Sequence, residues 1–322
     1  MAARFHNRYQ YGRHGLMDGL RWLREFQRHP VVEAFFVPVE NDPAWLARNR
    51  VENSLTWIGH ASFLLQWGGR NVLTDPHFSA RASPFSFAGP KRLAPPGLAF
   101  EDLPPIDLIL ISHNHYDHLD DASVRRLAQD HPHAHFIVPH GLRRWLLRRG
   151  AQTVIELDWW QGVDLAGAGI TAVPAQHFSG RGLFDRDRTL WCGFVLEVAG
   201  GRVYFAGDTG YSKDFADIGQ RFAPIDLALI PIGAYEPRWF MEPVHVDPEQ
   251  AVRIHRDVGA RRSVAMHWGV FRMTAEPPEE PPLRLRRALQ AQGLSEQDFS
   301  VLRHGETLRL GSAALGSLRR AV

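Results

Sequence analysis

Apolar and polar positions follow no clear period over residues 1–50, where Arg mixes with Trp and Phe, and become regular from Ser54 onward. The first stretch reads as an N-terminal extension with a short helix near Leu16 to Phe26, and residues 51–322 as the main folded domain. SLTWIGHASFLLQW and RNVLTDP predict strands, with Gly68-Gly69 as a hairpin turn between apolar segments. IDLILISH is a continuous apolar strand ending in His113. A helix over ASVRRLAQ follows, capped by Asp120 or Asp121, and HFIVP returns as a strand.

The second half repeats the alternation. GITAVPAQH predicts a strand ending at His177, CGFVLEV and RVYFAGD a hairpin around Gly200-Gly201, and IDLALIPIG a buried strand similar to IDLILISH. PEQAVRIHRDVG is a predicted helix and RRSVAMHW a final strand ending at His267. Two halves of strands followed by helices predict an α/β fold of two mixed sheets packed together with helices outside. Two Pro-rich stretches interrupt it: Pro84 to Pro105 between strands, and Pro277 to Pro282 as a surface loop before a C-terminal helix.

Composition narrows the chemistry. With 322 residues, 44% of them hydrophobic, the chain can bury a substantial core, and a formal charge of +2 provides no global field to recruit nucleic acid. Cys192 is the only cysteine. An intrachain disulfide and a thiolate-only metal site are therefore excluded, and any transition metal must be held by His and carboxylate. No apolar run approaches the roughly 20 residues of a membrane span, and the start MAARFHNRYQYGRH lacks the apolar segment of a secretory signal. The expectation is a cytoplasmic protein, soluble or peripheral to a membrane.

The strongest chemical signal is His113-Asn114-His115-Tyr116-Asp117-His118, four potential ligands within six residues after a buried strand. His177, Asp208 and His267 each follow a separate apolar strand, which is how a fold brings distant positions to one point. The arithmetic favours two metals: His113, His115 and His177 on the first, Asp117, His118 and His267 on the second, and Asp208 bridging. Zinc suits this set, and iron and manganese also accept imidazole and carboxylate. Two such ions would share a water of lowered pKa, giving a bridging hydroxide. Asp75 in VLTDP is a candidate to orient a metal-binding His from behind, or an ordinary turn carboxylate before Pro76. His131, His133 and His135 lie on one face of a strand start with no carboxylate beside them; His60, His77 and His140 read as structural or pocket-lining.

At HNHYDH the chain resembles the metallo-β-lactamase superfamily, and WIGHASFLL, LTDPHFS, PFSFAGPKR, IELDWW, AQHFSGR, FAGDTGY, PIGAYEPRWFM, HVDPEQAVRIH and MHWGVF narrow the resemblance to the N-acylphosphatidylethanolamine-hydrolysing phospholipase D family. The resemblance runs from Asn53 to Phe271. It implies an αββα sandwich, two zinc ions on the seven positions above, and hydrolysis of a glycerophospholipid diester to phosphatidic acid and an N-acylethanolamine. Under it, Asp208 positions the metals and is a candidate proton acceptor. His245 in PVHVDP matches a position associated with phosphate, as a phosphate contact or a proton donor to the leaving alkoxide.

Tyr116 is a candidate donor to a phosphate oxygen, or a packing residue. Tyr235, Glu236 and Arg238 would shape the pocket, the last two alternatively as an ion pair, and Arg181 is a weaker candidate for the same surroundings. A phospholipid substrate calls for an apolar approach. Phe85, Phe87, Leu93, Leu98 and Phe100 with Lys91 and Arg92 suit a loop that touches acyl chains and headgroups at a membrane surface, or a packed Pro-rich loop. Hydrolysis of another phosphodiester, an ester or a lactone by the same hydroxide is the alternative reading, since fold alone permits either. Oligomeric state is not encoded in any motif.

Overall fold

The structure, a computed structural model, describes residues 4–9, 12, 14–28, 35–165, 167–182, 184–198 and 201–310. The first half of the chain contributes β1 (Asn53–Gly59), β2 (Ser62–Trp67), β3 (Arg70–Thr74), β4 (Leu108–Leu110), β5 (His135–Pro139) and β6 (Thr153–Leu157). The second contributes β7 (Gly162–Leu165), β8 (Ala168–Val173), β9 (Gly193–Val198), β10 (Gly201–Phe205), β11 (Leu227–Pro231), β12 (Ser263–Met266) and β13 (Phe299–Ser300), followed by β14 (Thr307–Leu310). They form two seven-stranded sheets, ordered β14-β1-β2-β3-β4-β5-β6 and β7-β8-β9-β10-β11-β12-β13.

The sheets share one pattern. Each begins with three antiparallel joins and changes to three parallel joins, the change falling at β3/β4 in one and β10/β11 in the other. IDLILISH and IDLALIPIG thus occupy corresponding places. Parallel joins require crossovers, and helices supply most of them. The helices are α1 (Leu16–Arg28) and α2 (Pro43–Arg48) ahead of the strands, then α3 (Asp121–Asp130), α4 (Arg143–Leu147), α5 (Asp214–Phe222), α6 (Arg238–Met241), α7 (Pro248–Asp257) and α8 (Glu280–Ala291). The β3–β4 crossover is the exception: its prolines exclude a regular helix, leaving one 3-10 turn at Phe100–Asp102.

Alternation along the strands decides which layer each residue enters. Leu108 and Leu110 of β4 join Trp57, Phe63 and Leu65 in the core between the sheets, together with Phe194, Val203 and Phe205. Ile109 and Ile111 point the other way, with Leu64, Leu73 and Phe136, onto Val124 and Leu127 of α3 and Leu146 of α4. On the far side of the second sheet, Phe215 of α5, Val252 and Ile254 of α7 and Leu285 of α8 belong to the same continuous core. Helices therefore cover the outer faces of both sheets, and the predicted sandwich is the observed fold.

Local chemistry sets the helix starts. Asp120, rather than Asp121, caps α3 by accepting from the Ser123 backbone N–H, and Asp247 caps α7 in a capping box with Gln250 around Pro248. Three expectations need correction. RRSVAMHW is not the final strand: β14 returns to the first sheet and pairs with β1, a short edge strand whose TLRL pattern is half exposed. The 277–282 stretch is not wholly loop, because α8 starts at Glu280 with Pro281 and Pro282 in its first turn, where a missing N–H is harmless. Strand pairing also stops at Leu110 and Val173, short of His113 and His177. β9 and β10 form the expected hairpin; Gly200 lies outside the described residues.

No helix among the described residues is long and apolar enough to cross a membrane. Residues of the N-terminal stretch pack on the domain: Trp22 of α1 stacks on Phe240 at 5.5 Å between centroids, and Asn7 reaches the backbone of His177.

Candidate metal centre

All seven proposed ligands lie in loops beyond strand ends at one rim of the sandwich. After β4 the chain makes a single turn at residues 115–118, closed by Leu119 N donating to His115 O at 2.8 Å. Arg181 braces the outer side of this loop, its guanidinium donating to Asn114 O at 2.9 Å and Leu119 O at 2.7 Å. Asp208 follows β10 through Gly207, where a Cβ would lie 2.7 Å from the Ser112 Cβ, and His267 follows β12 beside Gly233, where a Cβ would lie 2.2 Å from the His267 carbonyl oxygen. Only glycine allows those approaches.

His113, His115 and His177 form one group. His115 Nδ1 lies 2.9 Å from His113 Nε2 and 3.1 Å from His177 Nε2. The rear of each flanking ring is committed: Ser112 Oγ gives its proton to Asp75 at 2.6 Å and so accepts from His113 Nδ1 at 2.9 Å, while His177 Nδ1 donates to Val244 O at 3.0 Å. Two Nε2 lone pairs are thereby turned toward one spot. A tetrahedral ion with nitrogen ligands at about 2.0–2.1 Å separates neighbouring ligand atoms by roughly 3.3 Å, close to the spacing here.

His60, Asp117, His118 and His267 form the second group. Asp208 stands between the groups: its Oδ2 is 3.1 Å from His118 Nε2, 3.2 Å from His267 Nε2, 3.8 Å from His177 Nε2 and 4.0 Å from His113 Nε2. Those contacts lack hydrogen-bond alignment, leaving His118 Nε2 and His267 Nε2 without a partner, and Asp208 Oδ1 is likewise buried and unpartnered. Buried ring nitrogens and a carboxylate oxygen left without partners around one volume fit a donor set made for cations.

Asp75 is fully buried and receives His118 Nδ1 at 2.6 Å, Ser112 Oγ at 2.6 Å and Ser112 N at 2.7 Å. It thus holds the rear of His118 directly and of His113 through Ser112. His60, Asp75 and His267 all have left-handed backbones, with φ of 55°, 31° and 61°, a conformation uncommon outside glycine and often found at functional sites.

Burial is the largest influence on every titrating group here. It holds His113 and His245 well below the usual imidazole range, and lowers His115 to about 3 and His177 to about 4. It also opposes charge on His118 and His267, but Asp208, supported by Asp117, outweighs it, placing His118 well above its ordinary value and His267 at about 9. Burial likewise pushes Asp117 and Asp208 upward; the positive His118 prevails and holds both well below the usual carboxylate range.

The other predicted residues divide. The His245 ring is buried at the edge of the centre, with Nδ1 unpartnered and 4.0 Å from Asp208 Oδ2. Tyr116 donates its hydroxyl to Arg181 O at 3.0 Å and stacks under the Arg181 guanidinium at 3.9 Å, facing a neighbouring pocket lined also by Phe85 and Trp145. Arg238 meets the Glu236 carboxylate only through its backbone N–H, at 3.1 Å; its guanidinium faces Glu242 and Asp247 at 3.6 Å each and donates to His245 O at 3.0 Å. His131 accepts a backbone N–H from Ile106, outside the centre.

The 84–100 loop needs correction too. Phe85 and Phe87 are exposed, but Leu98 and Phe100 are core residues. Arg92 points inward, donating to Ser79 O at 2.8 Å and to His77 O, and is unable to meet a headgroup. His60 was the residue undervalued by sequence: its Nε2 lies 2.9 Å from Asp117 Oδ2, in the β1–β2 turn. A histidine immediately after Gly59 in a tight turn between two buried strands is the signal that marks it.

Comparison with known proteins places this geometry. Residues 70–268 match the beta-lactamase superfamily domain. The N-acyl-phosphatidylethanolamine-hydrolyzing phospholipase D 1 of Caenorhabditis elegans is 42% identical over 78% of this chain and 74% of its own length. The mitochondrial N-acyl-phosphatidylethanolamine-hydrolyzing phospholipase D of Saccharomyces cerevisiae is 37% identical over 76% of this chain, which spans 53% of that protein. Among solved structures, Igni18, a metallo hydrolase of Ignicoccus hospitalis, is similar with a TM-score of 0.61 and 25% identity over 81% of this chain and 99% of its own. The overlapping His/Asp groups on a sandwich of this topology, with those relatives, identify the chain as a metal-dependent hydrolase of the beta-lactamase superfamily, belonging within it to the N-acylphosphatidylethanolamine-hydrolysing phospholipase D family.

Proposed function

We propose that this hydrolase is a zinc-dependent phosphodiesterase of phospholipase D type that converts N-acylphosphatidylethanolamine to phosphatidic acid and an N-acylethanolamine. The observation that carries the reading is the 42% identity to a relative of that name over 78% of this chain. In this assignment residues 51–322 are the catalytic domain. His113, His115 and His177 hold one zinc, Asp117, His118 and His267 the other, and Asp208 reaches both, in keeping with its central oxygen. Bound ions supply Lewis acidity toward a phosphate oxygen and a water of lowered pKa.

The chain's own groups account for the rest. Asp75 and Ser112 fix the ring orientation of His118 and His113, and His60 fixes the carboxylate of Asp117. His245, kept neutral by burial, approaches an anionic phosphate as a hydrogen-bond donor. Exposed Phe85 and Phe87 form the apolar tip of a membrane-facing loop, and the protein acts at a phospholipid surface.

Zinc-loaded protein is expected to release the ethanolamide from N-acylated phosphatidylethanolamine in mixed micelles, followed by mass spectrometry, and Asp208→Asn to lower turnover by more than about 100-fold, the upper end of what loss of a residue behind the ligands costs. Absence of ethanolamide alongside turnover of a lactone or small-diester panel would sink the lipid assignment. His245→Ala is expected to lower kcat by about 100-fold or more with zinc content unchanged; a wild-type kcat removes His245 from the chemistry. Asp75→Asn should weaken zinc by about 10- to 100-fold in chelator competition, and an unshifted curve would leave Asp75 a turn residue. Phe85→Ser/Phe87→Ser should reduce sedimentation with phospholipid vesicles by at least about tenfold, from the apolar area withdrawn. Equal sedimentation of both proteins would refute the loop's contact with lipid.

A further inference from the structure

The backbone of His177 poses a problem of hydrogen bonding. Its strand has already ended at Val173, and the neighbouring Gln176 pairs in the other direction, its carbonyl accepting from Gly210 N at 2.8 Å and its N–H donating to Thr209 Oγ1 at 3.0 Å. In an extended chain the next residue turns its N–H and C=O to the opposite side, where no strand lies. Such groups need partners once water is withdrawn.

The partner is a side chain 170 residues away. Asn7 Nδ2 donates to His177 O at 3.0 Å and Asn7 Oδ1 accepts from His177 N at 3.2 Å, so that one amide closes the two-bond ring that a neighbouring strand would otherwise supply. Asn7 Oδ1 also accepts from Trp191 Nε1 at 2.9 Å, which fixes the amide's orientation. The segment around it is fastened on both sides. Phe5 N donates to Asp187 O at 2.8 Å, and Arg8 meets the buried Asp214 at 2.6 Å and Asp217 at 2.8 Å, with its guanidinium 5.3 Å from the Trp160 ring. Tyr9 adds a bond to Asp217 at 3.1 Å. Asp214 opens α5, so the segment ties the His177 loop to the helix that follows the Asp208 loop.

We propose that residues Phe5–Tyr9 are a strap belonging to the metal centre, with Asn7 the positioning residue for His177. The strap acts on the imidazole through the backbone. The ring has one further restraint, Nδ1 on Val244 O, which fixes its tautomer; the Asn7 clamp fixes where the Cα stands, and the two together place Nε2 beside His115 Nδ1. Releasing the clamp frees the ring to retreat from the His113/His115 pair while leaving Asp117, His118 and His267 as they are. The proposal rests on the reading of His177 as a metal ligand.

The test is zinc retention rather than hydrolysis. Wild type, Asn7→Ala, Asn7→Asp, Arg8→Ala and His177→Ala are loaded with zinc, challenged with graded EDTA and assayed for residual metal, with Tm recorded at saturating zinc. Asn7→Ala is expected to lose one zinc equivalent at about 10- to 100-fold lower chelator than wild type and the other at the wild-type concentration. Asn7→Asp, which keeps the acceptor for His177 N and Trp191 but turns a carboxylate oxygen toward His177 O, shifts the same equivalent, and Arg8→Ala shifts it less. A wild-type curve for Asn7→Ala overturns the strap. Should that variant not fold, an unshifted curve for Asn7→Asp does so instead. Retention of both equivalents by His177→Ala defeats the ligand reading itself, whereas loss of one by His177→Ala with an unmoved Asn7→Ala curve defeats the strap alone.

Discussion

The structure depends on burying a set of polar groups whose reactive ends all face one another. A ring nitrogen directed at a neighbour's lone pair, or a carboxylate removed from water, is stable only if its other end is held and its charge is answered. Each rear contact has a dedicated partner: Ser112 for His113, Asp75 for His118, the Val244 carbonyl for His177 and His60 for Asp117. Ser112, Asp75 and His60 are themselves buried, so there the centre is two layers deep before the hydrophobic core begins. That depth explains the left-handed backbones at His60, Asp75 and His267, where side-chain direction takes precedence over local comfort.

The repeated sheet pattern supplies the convergence. Parallel joins put strand ends on the same rim, and the two sheets face each other there, so the first half delivers Asp75 and residues 113–118 while the second delivers His177, Asp208, His245 and His267. Neither half holds a complete ligand set. The apolar contact between sheets, Trp57, Phe63 and Leu110 against Phe194 and Phe205, is therefore also what sets the distance between Asp208 and His118. Close backbone approaches at Gly207 and Gly233 tighten the same junction.

Sequence carried the parts that depend on periodicity and density. Apolar alternation located nearly every core strand, because a strand buried on both faces, such as LALIP or SFLLQW, leaves no ambiguity about burial. HNHYDH announced a metal site by its concentration of donors. Features fixed by a single partner across the fold were harder to read. Arg92 and Lys91 are adjacent basic residues, yet only the fold turns one inward to His77 and Ser79. β14 has too few residues for a period, and its place beside β1 is set by closure of the sheet edge. His60 carries one donor in an apolar motif, and Asn7 stands in a stretch with no period at all; their roles come from partners 57 and 170 residues away.

Charge within the centre explains how so polar a cluster can be organised by the protein alone. Asp117 and Asp208 stay ionised despite burial, and His118 and His267 answer them as imidazolium ions. Two positive rings thus stand against two negative carboxylates, while His113, His115, His177 and His245 remain neutral. Burial is what keeps this second set below the usual imidazole range, against the pull of Asp208. The sites differ in geometry: no Asp208 oxygen comes within hydrogen-bond distance of His113 or His177 Nε2, whereas Asp117 and Asp208 stand 3.2 and 3.1 Å from His118 Nε2. Orientation in the first therefore falls entirely to the rear contacts of its rings and to the backbone that carries them, which makes the position of His177 more sensitive to its surroundings than that of His118, locked between Asp75 and Asp208.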